Sequence, residues 1–339
     1  MSDKLRFGIL STGNIAQQFA AGVRGSRRCV LAAVASRSQG PADAFAQAQQ
    51  VKRAYGSYEQ LLSDPAVDAV YIGLPNSMHH EWTIKALRAG KHVLCEKPFA
   101  SNWTEAADMF EAAESCGKVL VEAFMYRSHP QTKKIVKAIK SGAIGEVRFI
   151  RTSFTYKTMR IAENIRFRAD LAGGALMDIG CYCIDFSQLI AGSAPSSVSA
   201  YATLHQSGVD ELVAGAMQFP RGILATFTCG MTAEANNAAQ ICGTAGYIEI
   251  PVPWKPAAGA AQFTIAYGIP PRMDGGAAAK RPAPEVVKVE AGDNVYAYEA
   301  DDFAAAVLDD KPPQMPKEAT LSNMRILDEL RRQVGVVTR

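Results

Sequence analysis

The stretch "CEKPFA" (95–100) places charged residues directly after an apolar run. That run, "KHVLC", is typical of a short buried β-strand. Glu96 and Lys97 at the end of such a strand cost free energy unless the charges have a function. Pro98 fixes φ and tolerates a cis bond, so we expect it to turn the chain and to aim Lys97 into a cleft. A plain salt bridge at a strand end is the alternative interpretation.

A second stretch, "STGNIA" (11–16), has the form of a dinucleotide-binding turn. It fits the template G-x-G-x-x-G/A, except that Ser11 replaces the first glycine. Gly13 would let the backbone approach a pyrophosphate, and the following helix would offer its N-terminal N–H groups. A tight turn without a ligand is the alternative. We predict that a dinucleotide contacts Ser11, Thr12, Gly13, Asn14 and Ile15.

The next predicted strand, "CVLAAVASR", ends in residues that bear on which dinucleotide is bound. NAD sites usually place a carboxylate there to bind the ribose 2′-hydroxyl. Here the chain has Ser36 and Arg37, and a guanidinium pairs well with a 2′-phosphate. We therefore predict NADP rather than NAD, with a surface position for Arg37 as the alternative.

The elements that would position these residues change in character along the chain. Up to about residue 125, continuous apolar strands alternate with helices, which indicates a parallel sheet covered on both faces. After about residue 130, a series of strand-like runs indicates an antiparallel sheet. Residues 255–284, rich in Ala, Gly and Pro, are predicted to form a long surface excursion.

Composition narrows the class of protein. The 339 residues include 48% apolar and 20% charged residues, and the net charge is +3 with no long basic block, which argues against nucleic-acid binding. We find no apolar run long enough for a membrane span and no secretory signal pattern. The seven cysteines are scattered and odd in number, which is typical of a reducing compartment. We expect a soluble cytoplasmic protein.

Four motifs in order carry a family resemblance. They are the N-terminal glycine turn, "EKP" (96–98), "EAFMYR" (122–127) and "GGALMDIGCYCID" (173–185). Together they resemble the Gfo/Idh/MocA oxidoreductases, in the branch of glucose–fructose oxidoreductase, aldose–aldose oxidoreductase and dimeric dihydrodiol dehydrogenase. The resemblance implies an α/β protein: a Rossmann domain (1–125), then an α+β domain (126–339) with a large, mostly antiparallel open sheet. The C-terminal helix is free to pack back on the first domain.

The resemblance also implies catalytic roles. Lys97 matches the family's catalytic lysine, and Asp178 and Tyr182 match its second catalytic motif, four residues apart on one helix face. We predict Tyr182 as the acid/base, with its phenol pKa lowered by the nearby ammonium and the nicotinium ring. Lys97 would hold the phenol and the sugar hydroxyl and stabilise negative charge. Asp178 would orient the substrate or Lys97.

Further candidates lie on segments that flank these motifs. For the cofactor we predict contacts from Leu74, Pro75, Asn76, His79, Glu96, Lys97, Glu122 and Arg168. Glu96 either faces the nicotinamide ribose or anchors the turn. For the sugar we predict contacts from Lys97, Arg127, Phe154, Tyr156, Asp178 and Tyr182, with an ion pair at a domain interface as the alternative for Arg127. No residues have the spacing of metal ligands, so we expect no metal.

The resemblance predicts an NADP-dependent sugar oxidoreductase. It would move hydride between the anomeric carbon of an aldose and nicotinamide, giving a lactone or aldonate. A tightly bound NADP would allow coupling to the reduction of a second sugar to an alditol. The alternatives are a trans-dihydrodiol or other polyol dehydrogenase and an NADP-bound sugar sensor without turnover. We expect a homodimer, or a dimer of dimers, built through the open sheet.

Overall fold

The computed structural model describes residues 4–268 and 282–336. Residues 269–281, in the middle of the predicted excursion, lie outside the described part. Two sheets organise the chain, one of six strands and one of eight. No helix in the described ranges is long and apolar enough to cross a bilayer.

The first sheet is entirely parallel and has the strand order β3-β2-β1-β4-β5-β6. This is the order of the dinucleotide-binding Rossmann fold. Its continuous apolar strands are buried because helices cover both faces. The strands are β1 (Leu5–Leu10), β2 (Cys29–Ala35), β3 (Arg53–Tyr55), β4 (Ala69–Ile72), β5 (His92–Glu96) and β6 (Leu120–Ala123). The helices are α1 (Asn14–Gly25), α2 (Gln39–Gln49), α3 (Tyr58–Leu62), α4 (His79–Arg88) and α5 (Trp103–Cys116).

The second sheet has eight strands in the order β14-β13-β12-β11-β7-β10-β9-β8, and only the β7–β10 pair is parallel. The predicted α/β class, with a parallel sheet followed by a mostly antiparallel one, is confirmed. The strands are β7 (Val147–Thr155), β8 (Ser197–Leu204), β9 (Asp210–Gln218), β10 (Leu224–Gly230), β11 (Ala239–Gly243), β12 (Gly246–Ile250), β13 (Gln262–Tyr267) and β14 (Glu285–Lys288). The helices are α6 (Met125–Ser128), α7 (Pro130–Lys140), α8 (Cys181–Ala191), α9 (Val295–Leu308) and α10 (Lys317–Gln333).

The last two helices return to the first domain. Helix α9 packs on α1, where the Cβ of Tyr296 would lie 2.4 Å from any Cβ added at Gly22. Helix α10 packs on α5, and Asp328 accepts a hydrogen bond from the backbone N–H of Trp103 at 2.7 Å. The two domains are therefore joined by more than the connection near residue 125, and this holds the cleft between them.

Along the central strands of the second sheet, buried and exposed residues largely alternate between its two faces. Inward residues such as Met217, Phe227 and Ile241 are buried beneath the helices. Outward residues such as Ala216, Thr226 and Arg151 form a continuous row across paired strands, and all three are exposed. No described helix covers this outward face, which leaves an exposed surface of small and polar side chains interrupted by larger apolar ones such as Leu224 and Val286.

Candidate functional site

A cavity of about 530 Å³ lies between the domains, at the carboxyl ends of β1, β4 and β5. Open α/β sheets place ligands at this edge, because strand ends and helix N-termini meet there. Most of the predicted site residues line it. They are Ser11, Gly13, Asn14, Ile15, Leu74, Pro75, Asn76, Glu96, Lys97, Phe154, Tyr156, Asp178 and Tyr182.

Lys97 lies where β5 ends, and the bond between Lys97 and Pro98 is cis. Its Nζ donates to the backbone oxygen of Asp178 at 2.6 Å and lies 3.2 Å from Asp178 Oδ1. Glu96 anchors the turn: its Oε2 accepts from the Lys97 N–H at 3.2 Å, and its Oε1 accepts from the Tyr71 hydroxyl. Burial raises the pKa of Glu96, while Lys97 acts to lower it. The two acceptors on Asp178 leave one N–H of the ammonium for another oxygen.

Asp178 is the meeting point of the polar network. Beyond Lys97, its Oδ2 accepts from the Tyr156 hydroxyl at 2.8 Å and from Arg166 Nε at 2.7 Å. It belongs to a π-helical turn, Leu176–Gly180, that runs directly into α8, whereas the sequence predicted one regular helix. Such turns occur frequently at functional sites. Here the turn presents the Asp178 backbone oxygen and its carboxylate to the same ammonium.

This network fixes the charges of its members. Burial acts to raise the pKa of Asp178, but Lys97 and Arg166 outweigh it and hold that pKa at about 2. Burial likewise acts to lower the pKa of Lys97, but Asp178, Cys181 and Glu96 together outweigh it, so the pKa lies above its ordinary value. Because the pKa of Asp178 is depressed, its ionic contribution to stability is complete above its ordinary value of 3.8 and is lost as the pH falls through about 2.

Tyr182 lies beside Lys97, but its hydroxyl points elsewhere. Lys97 Nζ lies 5.2 Å from the centroid of the Tyr182 ring, and the Tyr182 hydroxyl donates to Met125 Sδ at 3.4 Å. Burial raises the pKa of Tyr182 well above its ordinary value, and Glu96 acts in the same direction. The direction is opposite to the predicted lowering, and the contribution of the nicotinium ring to that lowering stays a prediction. The phenol is protonated and bonded to a weak acceptor, so it is ready to donate its proton to a better one.

The rings of Phe154 and Tyr182 form one wall of the cleft, and the buried Trp254 packs against both of them. Phe154 and Trp254 stack with ring centroids 5.6 Å apart and planes 10° apart. The Tyr182 ring meets Phe154 edge-on, with a centroid distance of 5.3 Å. Such a wall offers an apolar surface to a ring-shaped substrate and keeps the polar network on one side of it.

The glycine turn fits a dinucleotide. Ser11 has φ 141°, in the region that favours glycine, so the backbone keeps the form of the template although its first glycine is absent. Ser11 Oγ accepts from the Gly13 N–H at 3.0 Å. Gly13 is exposed at the start of α1, where a side chain would stand between the cavity and the backbone. These residues would hold the pyrophosphate at the positive end of α1.

Three further predicted cofactor residues lie outside the cavity. Thr12 is half-buried in the glycine turn. Ser36 is buried at the end of β2, where its N–H donates to the Tyr55 oxygen at 3.1 Å. Arg37 follows it and is exposed. Since β2 is next to β1 in the sheet, Arg37 stands on the side of the glycine turn where an adenosine ribose is bound in this fold.

The structure does not bring four predicted residues into the cleft. His79 is buried, with its ring nitrogens 2.9 Å from the backbone oxygens of Pro98 and Leu74, so it ties two cleft loops together from behind. Glu122 is also buried. Its Oε1 accepts from the Phe99 N–H at 3.1 Å, and burial raises its pKa to about 8.

The other two are arginines held in ion pairs. Arg127 is buried and makes two hydrogen bonds to Asp185, at 2.8 and 2.6 Å, so its guanidinium is fully used inside the second domain. It is an ion pair, as in the alternative interpretation, but both partners lie within the second domain and not across the domain interface. Arg168 forms an exposed pair with Asp170, with an Nε–Oδ1 distance of 3.0 Å. Neither side chain lines the cavity.

Sequence reasoning missed three polar residues that line the cleft. Arg166, two positions before the predicted Arg168, binds Asp178. Gln18, one turn into α1, and Lys255, after β12, face each other with Lys255 Nζ 3.5 Å from Gln18 Oε1. The spacing of Gln18 after Asn14 placed it on the cavity side of α1. Lys255 follows the buried Trp254 in an irregular segment and gave no such signal.

Replacing Asp178 by Asn is predicted to lower the pKa of Lys97, because the carboxylate is lost while the burial of the ammonium remains. Competitive acetylation over a pH series, read by peptide mass spectrometry, measures this pKa. Asp170→Asn removes an exposed carboxylate and serves as the control. An unchanged titration of Lys97 in Asp178→Asn would contradict the charge coupling described above.

Comparisons with known proteins agree with this geometry. Residues 5–124 match the family model "Oxidoreductase family, NAD-binding Rossmann fold", and residues 132–249 match "GFO/IDH/MocA C-terminal domain". The chain is 36% identical to the trans-1,2-dihydrobenzene-1,2-diol dehydrogenase of Homo sapiens over 256 residues, which are 74% of this chain and 76% of that one. It is 33% identical to the D-xylose 1-dehydrogenase (NADP(+)) 2 of Haloferax volcanii over 329 residues, 96% of each chain.

Solved structures of oxidoreductases have the same fold as this chain. The 3-ketoreductase KijD10 from Actinomadura kijaniata, in complex with NADP and TDP-benzene, superposes with a TM-score of 0.86 at 30% identity, covering 97% of this chain and 98% of that one. The aldose-aldose oxidoreductase from Caulobacter crescentus, complexed with glycerol, superposes with a TM-score of 0.85 at 25% identity, covering 98% and 97%. The chain therefore belongs to the Gfo/Idh/MocA family of NAD(P)-dependent oxidoreductases, which act on CH–OH groups.

Proposed function

We propose that this protein is an NADP-dependent sugar oxidoreductase that moves hydride between the anomeric carbon of an aldose and nicotinamide. The observation that carries the proposal is the position of Lys97. Its ammonium is held by Asp178 at the junction of the glycine turn, the polar network and the aromatic wall. Relatives named as a D-xylose dehydrogenase and an aldose-aldose oxidoreductase support a sugar as the substrate.

The chain's own residues would handle the proton and the developing charge. The free N–H of Lys97 would donate to the substrate oxygen and stabilise negative charge on it. In the reduction, Tyr182 would turn from Met125 Sδ, give its proton to the carbonyl oxygen and become a phenolate. In the oxidation, Tyr182 would act from that phenolate form and take the proton of the alcohol. Asp178 and Arg166 would keep Lys97 charged and in place. NADP, when bound, supplies the hydride acceptor or donor.

A dihydrodiol dehydrogenase is the second candidate. The rings of Phe154 and Tyr182 in the cavity lining favour it, because an aromatic wall suits an unsaturated ring as well as a pyranose. The human relative named as a dihydrodiol dehydrogenase supports it further. Both candidates use Lys97 and Tyr182 in the same way, so they differ only in the substrate.

The near-ultraviolet absorbance of NADPH tests the function. With added NADP⁺ we expect growth of this band with aldoses and little with a benzene dihydrodiol; the reverse preference would favour the second candidate. A band in the purified protein that bleaches on adding an aldose would indicate a retained cofactor. No change in NADPH absorbance with any alcohol tested, in a protein that binds the cofactor, would contradict both candidates and favour a sensor.

Removing the two proposed catalytic groups should separate chemistry from binding. Lys97→Met is expected to lower kcat by about a thousandfold and Tyr182→Phe by about a hundredfold, with NADP⁺ binding nearly intact. Lys137→Met and Tyr201→Phe, at exposed positions far from the cleft, are the matched controls. Full activity in Lys97→Met would refute its role.

We propose that Arg37 gives the preference for NADP by binding the 2′-phosphate. Arg37→Ala should raise the Kd of NADP⁺ by about 10- to 100-fold and leave that of NAD⁺ unchanged, since only NADP carries the phosphate. Arg27→Ala, exposed at the opposite end of β2, is the control. Calorimetric titration gives both constants, and equal losses for the two dinucleotides would rule out the proposed contact.

We also propose a homodimer through the uncovered face of the second sheet. The support is the exposed outward row that contains Ala216, Thr226 and Arg151. Thr226→Arg would place a second cation beside Arg151 at the centre of that face, so it should convert dimers to monomers in sedimentation velocity. A monomeric wild type at micromolar concentration would count against the dimer, as would an unaffected dimer in the variant.

A further inference from the structure

Lys255 reaches the cleft from the second domain and stands over the dinucleotide-binding helix. It lies in the segment between β12 and β13 and lines the same cavity as Gly13 and Asn14. Its Nζ is 3.5 Å from Gln18 Oε1 on α1 and 5.7 Å from the centroid of the Tyr296 ring on α9. The Lys255 ammonium therefore lies next to the first two turns of α1, on the side of the helix that faces the cavity.

The charges around it leave this ammonium without a counterion. Asp178 is shared by Lys97 and Arg166 at 3.2 and 2.7 Å. Glu96 accepts from Tyr71 and from a backbone N–H. Among residues 4–268 and 282–336, no carboxylate lies within ion-pair distance of Lys255 Nζ. Burial lowers the pKa of Lys255 and Lys97 lowers it further, while Glu96 acts in the opposite direction.

An unpaired cation in a partly desolvated cleft favours an anionic ligand, and two features of the cleft indicate which one. The N-terminus of α1 attracts negative charge to the turn at Gly13 and Asn14. The contact with Gln18 places the Lys255 ammonium beside the N-terminal half of α1, on the side of the cavity that carries the glycine turn. The diphosphate of the dinucleotide is the anion that this side would hold.

We propose that Lys255 binds the cofactor diphosphate from the side opposite the glycine turn, so that the second domain clamps the dinucleotide on α1. This inference rests on the proposed use of a nicotinamide dinucleotide. The contact is independent of the 2′-phosphate, so it serves NADP and NAD equally. Because the two domains would then share one ligand, cofactor binding would also add a contact between them.

Calorimetric titration of the full chain with NADP⁺ and with NAD⁺ tests the proposal. Lys255→Gln should raise both Kd values by the same factor, about tenfold, because it removes one charge-assisted contact to a group that both dinucleotides carry. Added salt should weaken the wild type more than the variant. Lys255→Arg, which keeps the charge, should restore most of the affinity, and Lys137→Gln, the same change at an exposed position on α7, should have no effect.

The outcomes separate this proposal from the function it rests on. Wild-type Kd values in Lys255→Gln for both dinucleotides would overturn the clamp and leave the proposed function intact. A loss confined to NADP⁺ would place Lys255 at the 2′-phosphate and also overturn it. A raised KM for the sugar with unchanged cofactor affinity would place Lys255 at the substrate, with the same consequence. A wild type that binds neither dinucleotide would overturn both proposals.

Discussion

The contact between Lys97 and Asp178 is the interaction on which the site depends. It joins the end of β5 in the first domain to the π-helical turn before α8 in the second. Both groups are largely buried, with side-chain exposures of 13% and 12%, so each charge there needs a partner of opposite sign or a hydrogen bond. The buried Asp178 carboxylate is stabilised by the cations of Lys97 and Arg166 and by the hydroxyl of Tyr156. The same pairing keeps an ammonium charged at the place where a substrate oxygen would develop negative charge.

Several features of the fold serve this contact. The six-stranded parallel sheet brings the glycine turn and Lys97 to one edge. His79 ties the loops at Leu74 and Pro98 together from behind, and Glu96 fixes the turn by accepting the Lys97 N–H. Helices α9 and α10 return from the second domain to the first, which limits how far the two halves of the cleft can separate. Contacts from both domains therefore fix the position of the Lys97 ammonium.

The sequence predicted the parts of the site that depend on local patterns. The end of an apolar strand was enough to predict the position of Lys97, and a turn between a strand and a helix was enough to predict that of Gly13. Both signals are local, because strand patterns and turn residues depend only on neighbouring positions in the chain. It could not predict which partner a charged side chain would find. Arg127 is 58 residues from Asp185 in the chain, and nothing near "YRS" distinguishes a sugar ligand from a buried ion pair. Arg166 and Lys255 enter the cleft from irregular segments without a period to follow, and the direction of the Tyr182 hydroxyl depends on Met125 from another element.

A crystal structure of the protein with NADP⁺ and an aldose would test the central claim most directly. We expect Lys97 Nζ still bonded to Asp178, its remaining N–H within hydrogen-bond distance of the anomeric hydroxyl, and the nicotinamide ring between the glycine turn and the aromatic wall. A sugar bound away from Lys97, or an ammonium released from Asp178 and pointing out of the cleft, would contradict it.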